Sequence, residues 1–171
     1  MRYIRIQIIM IMSLMGCFYE APLTTQASIG VDPAMLGVWK LVPEAGETLS
    51  QPEVMTILEF SDHEYMIRYD DGPEGSYFRA YPIQIGGISC VQLQLIGSAD
   101  GPISPDEKGR YIVASFTFEA DRLVVRTLNT ELVSTDLKTS QELVNAFVRN
   151  KSAKNLFTEP GFFINTIHEG E

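Results

Sequence analysis

The chain is poor in the side chains that build chemistry. Its 171 residues include two histidines and two cysteines. His63 falls in an expected turn between Asp62 and Glu64, and His168 falls in the C-terminal tail. Neither has neighbours at the spacing that zinc or an activated nucleophile requires. No serine lies in a G-x-S-x-G context, and no glycine-rich loop carries a P-loop lysine. Basic residues are also scarce, with 13 Lys and Arg against 22 Asp and Glu and a net charge of −9. Such a surface repels phosphate backbones, and no basic run interleaves with aromatics, so nucleic acid is excluded as a partner. It equally repels anionic lipid headgroups, so charge alone does not hold the chain to a membrane. No apolar run reaches the roughly 20 residues that span a bilayer as a helix. Internal repeats and low-complexity tracts are missing too. These absences point away from an enzyme and imply no cofactor. Carboxylate catalysis stays open, because Asp and Glu from distant strands can converge.

Acidic turns are present but do not form a metal loop. Asp70-Asp71-Gly72-Pro73-Glu74-Gly75 clusters carboxylates, yet glycine already stands at position 72, where a D-x-D-x-D-G calcium loop needs a ligand. Asp-Gly-Pro recurs at Asp100-Gly101-Pro102, which marks turn chemistry. No metal site is expected.

What the chain does contain is alternation. Val91, Leu93 and Leu95 face one way, with Gln92 and Gln94 opposite. Ile112, Ala114, Phe116 and Phe118 oppose Val113, Ser115, Thr117 and Glu119. A period of two over such runs predicts half-buried strands. Strands are expected over 37–42, 54–60, 65–69, 77–85, 88–96, 111–118, 123–128 and 161–165. Short turns join several of them: Ser61-Asp62-His63-Glu64, Gly86-Gly87 and Glu119-Ala120-Asp121-Arg122. Before the first strand, Asp32-Pro33 opens a helical turn, since Asp caps and Pro suits the first position. Thr139-Ser140-Gln141-Glu142 fits a capping box, and Leu143, Ala146 and Phe147 continue at helical spacing towards Asn150 or Lys151. Short alternating strands with tight turns predict a mainly β, antiparallel sandwich or barrel. Cys90, within Ile88-Ser89-Cys90-Val91, reads as a small core hydrophobe, with a reactive thiol as the alternative.

The N-terminus carries a second pattern. Arg2 and Arg5 precede an apolar run from Ile6 to Leu14, and Leu14-Met15-Gly16-Cys17 follows. A charged start, a short apolar stretch and a small residue before the cut mark an export signal. The alternative is a β-strand, because Arg5-Ile6-Gln7-Ile8 alternates, but Ile8-Ile9-Met10-Ile11-Met12 breaks that alternation. Leu14 to Cys17 resembles the lipobox of bacterial lipoproteins. The resemblance implies cleavage of a signal peptide, residues 1–16, and acylation of Cys17. Lipids on both its sulfur and its amine would hold firmly where one chain would not. Cys90 then has no partner for an intrachain disulfide. Phe18 stands where an Asp would retain a lipoprotein in the inner membrane, so the resemblance implies a bacterial cell envelope and favours its outer membrane where the host has one. Residues 17–31, with little periodicity, read as a lipidated tether reaching on the order of 20 Å. Residues 32–171 then form one domain.

Leu36-Gly37-Val38-Trp39-Lys40-Leu41 resembles the G-x-W motif of the lipocalins, as does the order of elements. The second family motif, of T-D-Y type, is missing. This resemblance implies an eight-to-nine-stranded lipocalin-like barrel, with a short N-terminal helical turn and one helix before the last strand. Gly37 and Trp39 become structural residues, with Trp39 closing one end under an arginine, Arg126 or Arg149 being candidates. The implied function is binding a small lipophilic ligand in a cavity lined by Tyr65, Phe78, Leu93, Phe116 and Val125. The alternative is a structural or protein-interaction lipoprotein with a filled core, an exposed apolar patch and an envelope protein partner.

Overall fold

The computed structural model describes residues 18–44, 46, 48–72, 75–104 and 109–166. The expected signal peptide, Cys17, Pro73, Glu74 and His168 lie outside the described residues.

A 3-10 turn at Pro33–Met35 leads into β1 (Gly37–Leu41). Asp32 caps that turn by accepting from the Ala34 amide, and Pro33 supplies its first position. Then follow β2 (Val54–Ser61), β3 (Glu64–Asp70), β4 (Ser76–Ile85), β5 (Ile88–Ser98) and β6 (Gly101–Pro102). The chain ends with β7 (Tyr111–Glu119), β8 (Arg122–Thr127), α1 (Ser140–Asn150) and β9 (Gly161–Asn165). All pairings are antiparallel. β4 pairs β5 and β9 pairs β1, so eight strands close into a barrel, with the two-residue β6 added beside β5.

The alternation works as the sequence suggests. Val91, Leu93, Leu95, Ile112 and Ala114 face inward and join Trp39, Met55, Ile57, Ile67, Phe78, Leu123 and Phe163 in one interior cluster. Gly86 and Gly87 both take positive φ, 59° and 87°, as a tight two-residue hairpin turn requires. With the turns at Asp62-His63 and Ala120-Asp121, they gather at one end of the barrel. The longer connections gather at the other.

A second apolar cluster lies outside the barrel, on the flank of β4, β5 and β7. Tyr81, Ile83, Cys90 and Val113 point outward there and pack with Leu128, Val133, Leu143, Phe147 and Leu156. The helix α1 covers this flank through Leu143 and Phe147. Its capping box is complete, with Thr139 Oγ1 accepting from the Glu142 amide and the Glu142 carboxylate accepting from the Thr139 amide.

The flank also corrects one expectation. Residues 18–31 are not a tether. Tyr19, Ala21 and Leu23 are buried, and Tyr19 forms a backbone bridge with Tyr111 at the start of β7. The segment straps the barrel from end to end. Phe18 packs against the interior cluster beside β7, Tyr19 and Leu23 join the flank, and Val31 meets the cluster again beside the β2–β3 turn. The folded unit therefore begins by residue 18, not at 32. Burial of three apolar side chains outweighs the freedom that Pro, Thr and Ser suggest for this segment.

Candidate functional site

The barrel interior is the candidate site, and side chains fill most of it. Among the described residues, a cavity of about 20 Å³ lies between the strands, lined by apolar groups of Met55, Ile67, Tyr69, Phe78, Leu93, Ala114, Phe116, Val125 and Phe163. That volume matches roughly one water molecule, but the lining offers it no polar partners. Phe78, Leu93, Phe116 and Val125, four of the five expected lining residues, border this space. Tyr65 lies in the same interior cluster, nearer the hairpin end. Its hydroxyl accepts from the Asp32 amide at 2.6 Å, which ties the N-terminal 3-10 turn to the barrel.

Both ends are occupied. At the hairpin end, Met35 and Leu36 pack onto the interior cluster, and Trp39 is 3% exposed. The Trp39 indole donates to the Met35 carbonyl at 2.9 Å, so the ring is fixed by the turn that precedes its own strand. Gly37 has φ +138°, and a Cβ there would stand 3.0 Å from the Asn165 side chain. Glycine at the first position of G-x-W thus has a local cause.

No arginine stacks on Trp39 among the ring contacts of the described residues. Its aromatic neighbour is Phe118, with centroids 5.9 Å apart. Arg126 follows inward-facing Val125 and so points outward, 3.8 Å from Glu119. Arg149 lies on α1, outside the barrel. The strand period decides the first case and the helix placement the second.

At the other end, Tyr69 donates to the Glu53 carboxylate from within the barrel wall. On the outer wall near the hairpin end, Glu64 is buried, and Arg79 neutralises it through a guanidinium–carboxylate pair. Among the described residues, no three of His, Cys, Asp and Glu come together as a metal site. Asp70 of the acidic turn is held by Arg68, 2.8 Å away, and His63 is exposed in its hairpin.

The residue that sequence reasoning missed is Gln92. It faces outward, yet it is fully buried under the strap. Its amide oxygen accepts from the Leu23 amide at 2.6 Å and the Thr24 amide at 3.3 Å. Its amide nitrogen donates to the Thr24 carbonyl at 2.9 Å and to the Tyr81 hydroxyl at 2.6 Å. The signal for the strap was present in the chain. Tyr19, Ala21 and Leu23 alternate with Glu20, Pro22 and Thr24, a short period of two.

Cys90 lies in the same flank, and burial pushes its thiol up to about 12. Burial likewise raises Tyr65, Tyr69 and Tyr81. Each of these groups stays neutral in the folded chain at a pH where the unfolded chain ionises it. The resulting stability is complete below the unfolded values, about 8.5 for Cys and 10 for Tyr, and is lost as pH rises through the folded ones. Urea denaturation should therefore give constant stability between about pH 6 and 8 as far as these groups are concerned, and falling stability above about pH 9. Cys90 should react with a disulfide reagent only after denaturation; fast labelling of the native protein would contradict its burial.

Two large apolar side chains of β2 are exposed. On β2, Leu58 is 55% and Phe60 60% exposed, and Leu58 stands opposite Met66 of β3.

A closed, largely filled, antiparallel eight-stranded barrel with a strapped flank is the class of protein that this fold defines. No family model matches the chain, and neither a curated protein nor a solved structure matches it significantly.

Proposed function

We propose that the chain is a lipid-anchored protein of the bacterial cell envelope, acylated at Cys17, whose lipocalin-like barrel is a filled scaffold that meets an envelope protein through its outer surface. The observation that carries the scaffold reading is the interior volume. Pockets for small ligands run to roughly 300–1,000 Å³, against the cavity of about 20 Å³ between these strands. The lipobox resemblance at Leu14–Cys17 supports the anchor. Exposed Leu58 and Phe60, two residues apart on one strand, support an interaction surface.

Binding of a small lipophilic ligand is the second reading, and the wholly apolar lining of the cavity favours it. It requires Phe78 and Phe116 to swing aside. Titration of the unlipidated domain with N-phenyl-1-naphthylamine separates the two readings. The scaffold predicts no saturable fluorescence rise at micromolar dye. A saturable rise that Phe116→Trp abolishes would restore the ligand-binding barrel.

A further inference from the structure

We infer that the anchored protein sits directly on the bilayer in one orientation, with the loop end of the barrel against the lipid headgroups and the three tight hairpins pointing away. The inference rests on the acylation of Cys17 proposed above. It follows from how closely Phe18 is held to the barrel. Phe18 is one peptide link from Cys17, about 3.8 Å between Cα atoms, and it is already part of the fold. Its ring packs against the interior cluster and lies beneath the Arg110 guanidinium, 5.6 Å from it.

The next residue is locked. Tyr19 and Tyr111 exchange both backbone hydrogen bonds, at 2.8 and 2.9 Å. The Tyr19 hydroxyl donates to the Val133 carbonyl at 2.8 Å, and the residue is 1% exposed. Leu23 and Thr24 are then clasped by Gln92. A flexible segment of this length would let the domain range on the order of 20 Å from the surface. Pinned within two residues of the acyl carrier, it has almost no slack.

The pinned point also fixes which end faces the lipid. Tyr111 opens β7, at the end holding the β5–β6 turn and Ile103. The Asp62-His63 turn lies at the opposite end, separated by a strand length of about 20 Å along the barrel axis. Leu58 and Phe60 fall in the half of β2 nearer that distant end, so this seating leaves them free for a partner. The acidic domain is repelled by anionic lipid, and the short link holds it there nonetheless.

The test uses the full lipidated chain in vesicles of phosphatidylethanolamine and phosphatidylglycerol that contain a headgroup spin-labelled lipid. A nitrobenzoxadiazole dye is attached through Asp100→Cys in one sample and His63→Cys in another. We expect severalfold stronger quenching at position 100 than at position 63. A Gly-Ser linker inserted after Cys17 should bring the two close to equal. Equal quenching without the linker, or stronger quenching at position 63, overturns the fixed seating while the protein still floats with the vesicles. Failure to float at all, with no acyl group on Cys17 by mass, removes the anchor and the seating with it.

Discussion

Trp39→Ala should destabilise the domain by roughly 3–5 kcal/mol, the largest single loss expected from any residue in the barrel interior. The indole is 3% exposed and closes the hairpin end beneath the Pro33–Met35 turn. Truncation removes its apolar area, leaves a cavity that the closed strands cannot collapse into, and strips the Met35 carbonyl of its donor. For a domain of this size the midpoint of thermal unfolding should fall by about 10 °C or more. Trp39→Phe keeps most of the ring and loses the hydrogen bond, so about 1–2 kcal/mol is expected. Calorimetry on the two variants measures both terms. A loss below about 1 kcal/mol for Trp39→Ala would mean that the ring does not hold this end shut.

Gln92→Leu is expected to cost about 3 kcal/mol, although leucine has nearly the same size and strands favour apolar residues. The substitution leaves the buried Leu23 amide without its acceptor, an orphan that costs about 1–3 kcal/mol, and takes away the Gln92 amide that donates to the Tyr81 hydroxyl. The Thr24 carbonyl keeps the Tyr81 hydroxyl, 2.7 Å away, which limits the loss. The effect should be concentrated in the strap. Amides of Leu23 and Thr24 should exchange with solvent far faster, and protease should cut within residues 20–31 while the barrel stays intact. Gln94→Leu, two residues along the same face but only partly buried, should change stability by less than about 0.5 kcal/mol. Equal effects at the two positions would mean that the strap is not clasped.

Those two glutamines show what could be read in the sequence and what could not. Both follow the strand period, and both face outward. Nothing local separates them, because what buries Gln92 is a segment 69 residues earlier in the chain. The barrel was legible because its evidence is local: alternating runs, hairpin turns and capping residues each fix a neighbour in sequence. The capping box at Thr139 and the Asp32-Pro33 turn were legible for the same reason. The strap was not. Pro22 and Gly30 disfavour a strand, and the alternation of Tyr19, Ala21 and Leu23 is short enough to be outweighed by them.

The interior residues were likewise legible by face but not by fit. Period two says that Phe78, Leu93 and Phe116 share an inside. It does not say whether an inside of that diameter is full. An eight-stranded barrel sits near the size where either outcome is common, and the answer depends on the summed volume of side chains from eight strands. Arg126, one of two candidates to cover Trp39, is out of reach for a related reason: the G-x-W motif carries no register for a distant strand, and the inward Val125 turns its neighbour away.

The central claim is that the barrel is a filled scaffold, not a container. Native mass spectrometry of the protein, purified gently from the cells that make it and compared after denaturing extraction, tests this reading. A filled scaffold gives a single mass for the chain, identical before and after denaturation. A small molecule that rides with the folded protein and leaves on denaturation would contradict it, and its mass would identify what the barrel carries.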